Sequence, residues 1–365
     1  MLSRLPSEFP VGIIGSGQLG LMMVLESAGL GIEFNVLGNV NDKVCRYARC
    51  FDNSRYEDFI EESSVVTYEF EQGNEEAMLL ASRKNKLIPD YRNVWMKIER
   101  DREKEYLKNN NFPVPRFVTA ENGKEAIREI RDQFNWKAVV KKVRGGYDGK
   151  GQFYVLNDKY DPGIEKIEEK VVIEEYVDFD YESSIIIVRG NNEISAYPVT
   201  LNVNKEGILL YNYGPIKDSG ETDIGMKLAT SMNYIGVIGI EFFVKDGKAI
   251  INEFSPRVHN SGHYTINSSA TSQFENHIRA IAGLPLGSTK TYGYFGMVNI
   301  LGMTYIDSDL ASYGNVFLYG KENSSPRRKV GHINVQGSSI NDVRGKIETL
   351  LQKIYRNDFS KLKIR

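Results

Sequence analysis

The feature that most constrains the fold is an apolar strand that runs directly into a glycine-rich turn and a helix. The strand covers residues 11–14, the turn at 15–20 reads GSGQLG, and apolar residues recur at helical spacing over 21–28. A second apolar strand follows at 32–37. Strands joined through one helix pair in parallel, since a hairpin would reverse the chain. The sequence therefore predicts an N-terminal βαβ unit.

The glycine turn fits the G-x-G-x-x-G fingerprint of dinucleotide sites, in which backbone amides at a helix N-terminus meet an anion. That fingerprint also requires an acid at the end of the second strand, where it binds a ribose hydroxyl. Leu37, Gly38 and Asn39 stand there instead, which weakens the interpretation as a nicotinamide dehydrogenase. A phosphate contact and a purely conformational role for the glycines are both left open.

Size and charge limit the class of protein. A chain of 365 residues is too long for one ordinary core and predicts two or three domains. The 46 basic and 48 acidic residues give a net charge of -2, which argues against nucleic acid or a membrane as partner. The N-terminus has no apolar signal core, and the run Leu19–Leu25 is too short to span a bilayer. We therefore expect a cytoplasmic protein.

The chain has only two cysteines, Cys45 and Cys50. Their spacing is neither that of a redox pair nor that of a zinc site. We expect two ordinary free thiols in a reducing compartment.

The element pattern predicts three regions. A strand at 65–68 and a helix at 75–86 complete a Rossmann-like domain, and a charged helix over 94–109 follows. The middle is rich in strands, among them 193–201, and the end of the chain alternates short strands with turns before a helix near 341–354. The predicted domains are 1–95, 96–290 with a small subdomain at about 115–178, and 291–365.

A second glycine-rich loop lies between the strands predicted at 137–143 and 152–156. Residues 141–151 read KKVRGGYDGKG and carry four glycines and four cations. The loop is not a Walker loop, because Lys150 precedes Gly151 rather than Ser or Thr. A flexible hairpin loop with backbone donors and lysines still suits a polyphosphate. A solvated basic hairpin is the alternative.

Several acids follow apolar strands. Glu174, Glu175 and Glu182 are placed where carboxylates accept from an adenine amino group and ribose hydroxyls, although acids at strand ends are more often solvated. Glu241 and Glu253 flank the turn Asp246-Gly247. A two-residue loop alone would send them to opposite faces, whereas a three-residue loop or a bulge puts them on one face. A magnesium site built from both carboxylates therefore predicts the register in which Glu241 and Glu253 lie together.

The densest polar stretch is residues 252–264, NEFSPRVHNSGHY. It combines an acid, a fixed cation, two amides and two imidazoles, a set that suits metal, phosphate or a small anion. The basic turn at 327–332 is a second candidate for closing over a phosphorylated substrate. Solvated polar loops are the alternative in both places.

Together these segments resemble the N5-carboxyaminoimidazole ribonucleotide synthases, ATP-grasp carboxylate–amine ligases of purine biosynthesis. The resemblance covers nearly the whole chain, and the run from Pro256 to His263 is its most specific part. It implies an ATP-grasp fold, α/β and α+β, with an N-terminal Rossmann-like pre-ATP-grasp domain, a lid and a small β-rich C-terminal domain. The segments that carry it are 15–20, 67–71, 145–151, 252–253, 256–265, 272–275 and 328–332.

The resemblance also implies roles. ATP is expected to meet phosphate-binding cations, the glycine loop, an adenine hinge and a ribose acid, and two magnesium ions are expected between two carboxylates. The implied ATP-binding residues are Arg100, Lys141, Gly146, Tyr147, Asp148, Gly149, Lys150, Gly151, Glu174, Glu175, Tyr176, Val177, Glu182, Asn252 and Glu253. The implied metal ligands are Glu241 and Glu253.

For the second half-reaction, the resemblance implies bicarbonate and 5-aminoimidazole ribonucleotide as substrates and a homodimer as the assembly. Another ATP-grasp ligase is the alternative. Leu21 and Ser255 depart from the usual family pattern, and the role of His263 is left open. The implied catalytic residues are Arg257, His259, Asn260 and Lys329. The implied ribonucleotide-binding residues are Gln18, Leu19, Glu69, Tyr147, Asp148, Arg257, Arg328 and Lys329.

Overall fold

A computed structural model describes residues 9–145, 151–302, 308–321, 325 and 327–355. Its N-terminal part is a parallel sheet of order β3-β2-β1-β4, so the predicted βαβ unit is confirmed. The elements of this part are β1 (Val11–Ile14), α1 (Gln18–Glu26), β2 (Phe34–Leu37), β3 (Arg49–Phe51), α2 (Tyr56–Glu61), β4 (Val65–Tyr68), α3 (Glu75–Arg83) and α4 (Tyr91–Ile98).

A small antiparallel sheet of order β5-β8-β6-β7 comes next, with one helix packed on it. β6 and β7 pair antiparallel, which confirms the hairpin predicted on either side of the second glycine loop. The elements are α5 (Arg100–Asn109), β5 (Phe117–Ala120), α6 (Gly123–Phe134), β6 (Ala138–Lys142), β7 (Gln152–Val155) and β8 (Val171–Glu175).

The remaining strands form one large sheet of order β14-β13-β9-β11-β12-β15-β17-β16, with β10 paired to β9. Its strands are β9 (Tyr181–Arg189), β10 (Ile194–Ala196), β11 (Thr200–Lys205), β12 (Ile208–Gly214), β13 (Gly236–Lys245), β14 (Lys248–Ser255), β15 (Tyr294–Leu301), β16 (Asn315–Leu318) and β17 (Lys329–Gly337). Its helices are α7 (Glu221–Ser231), α8 (Thr265–Ser268), α9 (Gln273–Ile281) and α10 (Ile340–Tyr355).

Two predicted elements were wrong in extent. The helix expected over 94–109 is divided, because Glu99 adopts an extended conformation between α4 and α5. The strand expected over 193–201 is divided into β10 and β11, with Pro198 in the gap. Proline lacks the N–H that a continuous ladder requires there.

The C-terminal strands do not form a separate sheet. β15 pairs with β12 from residue 211 to 214, so the sheet continues across the boundary predicted at 290/291. The three predicted domain ranges stay predictions. Within the part of the chain that the structure describes, no helix is both long and apolar enough to cross a membrane.

The expectation of two free thiols is wrong in this structure. Cys45 and Cys50 are joined by a disulfide, with their Cα atoms 5.5 Å apart. Chain reversal between the short helix at Lys43–Arg46 and β3 brings the two residues together, at a Cα separation that suits a disulfide. The linear spacing of the cysteines did not reveal this turn.

The parallel sheet and the large sheet are linked by one buried histidine. His277 is fully buried, and its Nε2 lies 2.8 Å from Thr67 Oγ1 on β4. Its Nδ1 accepts from the backbone N–H of Val237 on β13 at 3.0 Å. Burial lowers the pKa of His277 from 6.5 to about 3, so the imidazole is neutral at physiological pH.

We expect His277 to make the fold acid-sensitive. Below pH 6.5 the unfolded chain binds a proton at this histidine, while the folded chain does so only near pH 3. Stability from this site is therefore complete above pH 6.5 and is lost as the pH falls toward 3. The stability advantage of the wild type over His277→Asn should shrink by roughly 2 kcal/mol between pH 7 and pH 5. Urea unfolding at several pH values measures this, and a constant difference would contradict it.

Candidate functional site

The three sheets surround one cavity of about 1400 Å³. It gathers residues from the first glycine turn, the small antiparallel sheet, the β13–β14 hairpin and the start of β17. Of the described residues that sequence analysis assigned to the site, the following line it: Gln18, Leu19, Glu69, Arg100, Lys141, Glu174, Glu175, Tyr176, Val177, Glu182, Glu241, Asn252, Glu253, Arg257, His259, Asn260, Arg328 and Lys329.

The second glycine loop is only partly described. Gly146, Tyr147, Asp148, Gly149 and Lys150 lie outside the described residues. Gly151 does not line the cavity; its carbonyl accepts from the backbone of Lys142 at the base of the hairpin.

The first glycine turn binds a carboxylate of the protein itself. Glu69, at the end of β4, accepts from the backbone N–H of Gly17 at 2.6 Å and from that of Gly20 at 2.8 Å. Gly15 has φ +111°, and a Cβ there would lie 2.4 Å from Glu69 Cγ. The turn amides that would meet a dinucleotide phosphate are thus already engaged, which counts against the dehydrogenase alternative.

The acidic pair lies in the register that the metal hypothesis predicted. Glu241 and Glu253 are direct partners across β13 and β14, whereas Phe242 pairs with Ile251. The two-residue loop is retained, and Asn252 is the extra residue of a bulge. Directly paired residues of antiparallel strands project to one face, so both carboxylates line the cavity.

The two carboxylates are electrostatically unequal. Burial and the nearby Glu253 and Glu182 raise the pKa of Glu241 to about 8. Lys97 lies 3.1 Å from Glu253 Oε2 and holds the pKa of that carboxyl well below its ordinary value. The pair is therefore a place where a cation would relieve repulsion between neighbouring acids.

Magnesium fits this donor set. Mg²⁺ takes one or two protein carboxylates and completes its octahedron with waters and substrate phosphates. Among the described residues, no group of three or more His, Cys, Asp or Glu side chains offers a metal site. Glu241 and Glu253 would hold the ion together with phosphate oxygens rather than in a closed protein cage.

The cations opposite the acidic pair are held by a buried carboxylate. Glu174 lies 2.9 Å from Lys141 Nζ and 3.0 Å from Lys104 Nζ. Burial alone would raise the pKa of Glu174, but the two lysines outweigh it and hold the pKa at about 2. Lys141 also donates to Asn252 Oδ1 at 3.2 Å. Glu174 thus orients Lys141, and its own carboxylate is already engaged.

Glu182 and Glu175, two acids at strand ends, differ in burial and in hydrogen bonding. Glu182 accepts from Asn204 Nδ2 at 2.9 Å, and burial raises its pKa. Glu175 is exposed, and Tyr176 and Val177 follow it along the cavity wall. The backbone of residues 175–177 and the Glu182 carboxylate, which accepts one hydrogen bond from Asn204, suit a nucleoside better than a phosphate.

The loop after β14 lines the cavity next to the acidic pair. Arg257 Nε donates to Glu71 Oε2 at 2.9 Å, so its guanidinium is anchored beside the glycine turn. His259 Nδ1 lies 2.9 Å from Ser261 Oγ and accepts from the Ser261 N–H at 3.4 Å. Its proton is therefore on Nε2, which lies 3.5 Å from Glu241 Oε1. A Cβ on Gly239 would lie 2.4 Å from His259 Cβ, so this glycine makes room for the ring.

Burial, reinforced by Arg257, lowers the pKa of His259 to about 3. At neutral pH the ring is uncharged and offers an N–H toward the acidic pair. Asn260 follows at the same wall and forms a paired amide contact with Asn299. The loop therefore offers hydrogen-bond donors from Arg257 and His259 in one place.

Sequence analysis missed Lys97, Lys104 and Glu71 as site residues. Lys97 contacts both Glu253 and Glu103, and Lys104 donates to the backbone carbonyl of Asn252 at 2.8 Å. The signal available was the spacing of Arg100 and Lys104, which lie one turn apart on α5; Lys97 lies on the preceding helix. Glu253 and Glu174, which these lysines contact, come from distant strands.

Comparison with known proteins extends this picture. Residues 9–97 match the ribonucleotide synthetase preATP-grasp domain, 105–274 the ATP-grasp domain, and 296–346 the phosphoribosylaminoimidazole carboxylase C-terminal domain. The chain is similar to the N5-carboxyaminoimidazole ribonucleotide synthase of Saccharolobus solfataricus, with 45% identity over 98% of this chain and 99% of the relative.

Solved structures agree. The phosphoribosylaminoimidazole carboxylase ATPase subunit from Aquifex aeolicus matches with a TM-score of 0.81 and 38% identity, over 95% of this chain and 100% of that chain. The Aspergillus clavatus N5-carboxyaminoimidazole synthase, in complex with ADP and 5-aminoimidazole ribonucleotide, matches with a TM-score of 0.86 and 25% identity, over 96% and 100%. The predicted fold class is thereby confirmed, and the chain belongs to the N5-carboxyaminoimidazole ribonucleotide synthase family of ATP-grasp ligases.

Proposed function

We propose that this chain carboxylates 5-aminoimidazole ribonucleotide with bicarbonate at the expense of ATP. The products are N5-carboxyaminoimidazole ribonucleotide, ADP and phosphate. Bicarbonate attacks the γ-phosphorus, the bond to ADP breaks, and carboxyphosphate forms. The amine nitrogen then attacks the carboxyl carbon, the C–O bond to phosphate breaks, and the nitrogen loses a proton.

One observation carries this proposal. A single cavity contains both the acidic pair of the β13–β14 hairpin and the Arg257–His259–Asn260 loop, and His259 Nε2 lies 3.5 Å from Glu241 Oε1. The chain passes from Glu253 to Arg257 within five positions. Phosphate activation and carboxyl transfer would then occur side by side, which keeps a water-sensitive intermediate inside the protein.

The ATP end works by charge and position. Arg100 and Lys141 line the wall that faces the acidic pair, and Arg100 donates to the carbonyl of Lys142 at 2.8 Å. Cations held in this way stabilise a transferring phosphoryl group without reorganisation. Glu175 to Val177 and Glu182 are proposed to bind adenine and ribose, and the loop 145–151 to cover the phosphates.

Glu241 and Glu253 would hold magnesium, and two ions are part of the proposal. When bound, the metal supplies neutralisation of the phosphate charge. Arg257 and the Nε2–H of His259 are proposed to bind the bicarbonate and carboxyl oxygens, since these atoms need donors.

The ribonucleotide is assigned to the wall that carries Gln18, Leu19 and Glu69, with Arg328 and Lys329 at the phosphate. All five line the same cavity. A homodimer and a cytoplasmic location complete the proposal. Both rest on family resemblance and on the composition of the chain.

Omission of each substrate tests the proposal. We expect ADP release to require both bicarbonate and 5-aminoimidazole ribonucleotide, with one carboxylated product formed for each ADP. The assay couples ADP to a spectrophotometric readout and follows product by mass spectrometry. Equal turnover with formate or an amino acid in place of bicarbonate would instead indicate another ATP-grasp ligase.

A further inference from the structure

A series of hydrogen bonds behind Asn260 determines which atom of its side chain remains available. The backbone carbonyl of Leu209 can only accept, so the atom of Asn299 that contacts it at 2.8 Å is Nδ2. The same Nδ2 donates to Oδ1 of Asn260 at 2.7 Å. Nδ2 of Asn260 donates back to Oδ1 of Asn299 at 3.1 Å. One carbonyl thereby fixes the orientation of both amides.

The second N–H of Asn260 is taken by a buried histidine. Asn260 Nδ2 lies 3.1 Å from His263 Nδ1. An amide nitrogen only donates, so Nδ1 accepts and the proton of the neutral ring is on Nε2. His263 is only 1% exposed, and burial lowers its pKa well below the ordinary value.

Two further buried rings, those of Tyr319 and His332, contact His263. Tyr319 Oη lies 3.3 Å from His263 Nδ1 and 2.8 Å from His332 Nδ1. The rings of His263 and His332 have centroids 4.6 Å apart, and His332 stacks on Phe317. Strands β16 and β17 thus set the position of His263.

These contacts determine whether the Asn260 side chain can donate or accept a further hydrogen bond. Both N–H groups of Asn260 are used, and its Oδ1 receives one donor, Asn299, among the residues that the structure describes. An amide oxygen accepts two hydrogen bonds, and Asn260 lines the cavity, so its Oδ1 has room for a donor from a ligand. His259 beside it offers a donor through Nε2–H. An anion requires donors, whereas an amine N–H requires an acceptor.

We propose that Asn260 Oδ1 binds the substrate amine that receives the carboxyl group, and that His263 is a positioning residue that keeps this oxygen turned toward the cavity. This inference rests on the proposed function and deepens it. Asn260 is thereby assigned to the amine rather than to bicarbonate. Tyr319 and His332 act through His263, and Asn299 acts directly on the amide.

The test compares His263→Leu with His263→Asn in the full-length enzyme. Leucine offers no acceptor to Asn260, whereas the asparagine oxygen lies close to the position of Nδ1. We expect His263→Leu to lower the ratio of carboxylated product to ADP by roughly two- to tenfold, the range that one lost hydrogen bond accounts for. Its KM for the ribonucleotide should rise while its KM for ATP is unchanged. His263→Asn should restore both values.

The product-to-ADP ratio does not depend on how much of the protein is folded, so a loss of stability alone leaves it unchanged. His277→Leu is the matched control, because His277 is equally buried and does not line the cavity. It should keep the wild-type ratio. Full coupling in His263→Leu, or equal loss in His263→Asn, would overturn the inference. A wild type that releases no ADP with both substrates would instead overturn the proposed function.

Discussion

Glu253→Gln is expected to abolish ATP turnover while the protein stays folded. The substitution keeps the size of the side chain and an oxygen for Lys97, which lies 3.1 Å away, but it removes the charge. Glu253 is the member of the acidic pair that is ionised at every working pH, because Lys97 lowers its pKa. Metal neutralisation of phosphate supplies several kcal/mol, so we expect ADP release to fall by about a hundredfold or more.

A second readout separates metal loss from other defects. In the wild type, magnesium with a non-hydrolysable ATP analogue should raise the unfolding temperature, since ligands that bind only the folded state stabilise it. Glu253→Gln should show a much smaller rise. Asp246→Asn is the matched control: it removes a charge from the tip of the same hairpin, where φ is +50°, a value that asparagine tolerates. Near-wild-type ADP release in Glu253→Gln would remove this residue from the metal site.

The register of the β13–β14 hairpin shows how chemistry added to local sequence rules. The turn Asp246-Gly247 predicts a two-residue loop, and by itself that loop places Glu241 opposite Asn252. The requirement that both acids meet one cation predicted a three-residue loop or a bulge, and the structure has the bulge, at Asn252. The sequence therefore predicted that Glu241 and Glu253 lie together, and the structure confirms this pairing. Their role in binding metal stays a prediction.

Other features required the tertiary structure. The glycine turn is a strong local signal, yet its occupant, Glu69, comes from a strand 49 residues after Gly20. Glu71 and Lys97 are ordinary charged residues in sequence, and their meaning appears only when Arg257 and Glu253 are beside them. Likewise, the buried asparagine Asn299 carries no motif. Long-range pairing of polar residues leaves no periodic trace in the chain.

The buried charges around Glu174 show why such contacts matter for stability as well as for function. Glu174 and Lys104 are each only 2% exposed. Lys141 shares the same carboxylate, so one anion serves two ammonium groups. Lys141 places its positive charge on the cavity wall, where it favours polyphosphate, but two neighbouring ammonium groups are tolerated only while the Glu174 carboxylate remains.

Glu174→Gln is therefore expected to destabilise the fold strongly. Removing one partner of a buried ion pair leaves an uncompensated charge and costs about 3–5 kcal/mol. Urea unfolding measures this cost. The same substitution at Glu275, whose pair with Arg279 on α9 is partly exposed, should cost less than about 1 kcal/mol.

The double variant Glu174→Gln/Lys104→Met should recover part of the stability, because it removes the charge that Glu174→Gln leaves buried. In that double variant Lys141 keeps its contact with Asn252 Oδ1 but loses the carboxylate that orients it. Its KM for ATP should therefore stay above the wild-type value even where stability is regained. Additive losses in the double variant, or a cost for Glu174→Gln no larger than that for Glu275→Gln, would contradict the role of Glu174 as the buried counter-ion of the ATP site.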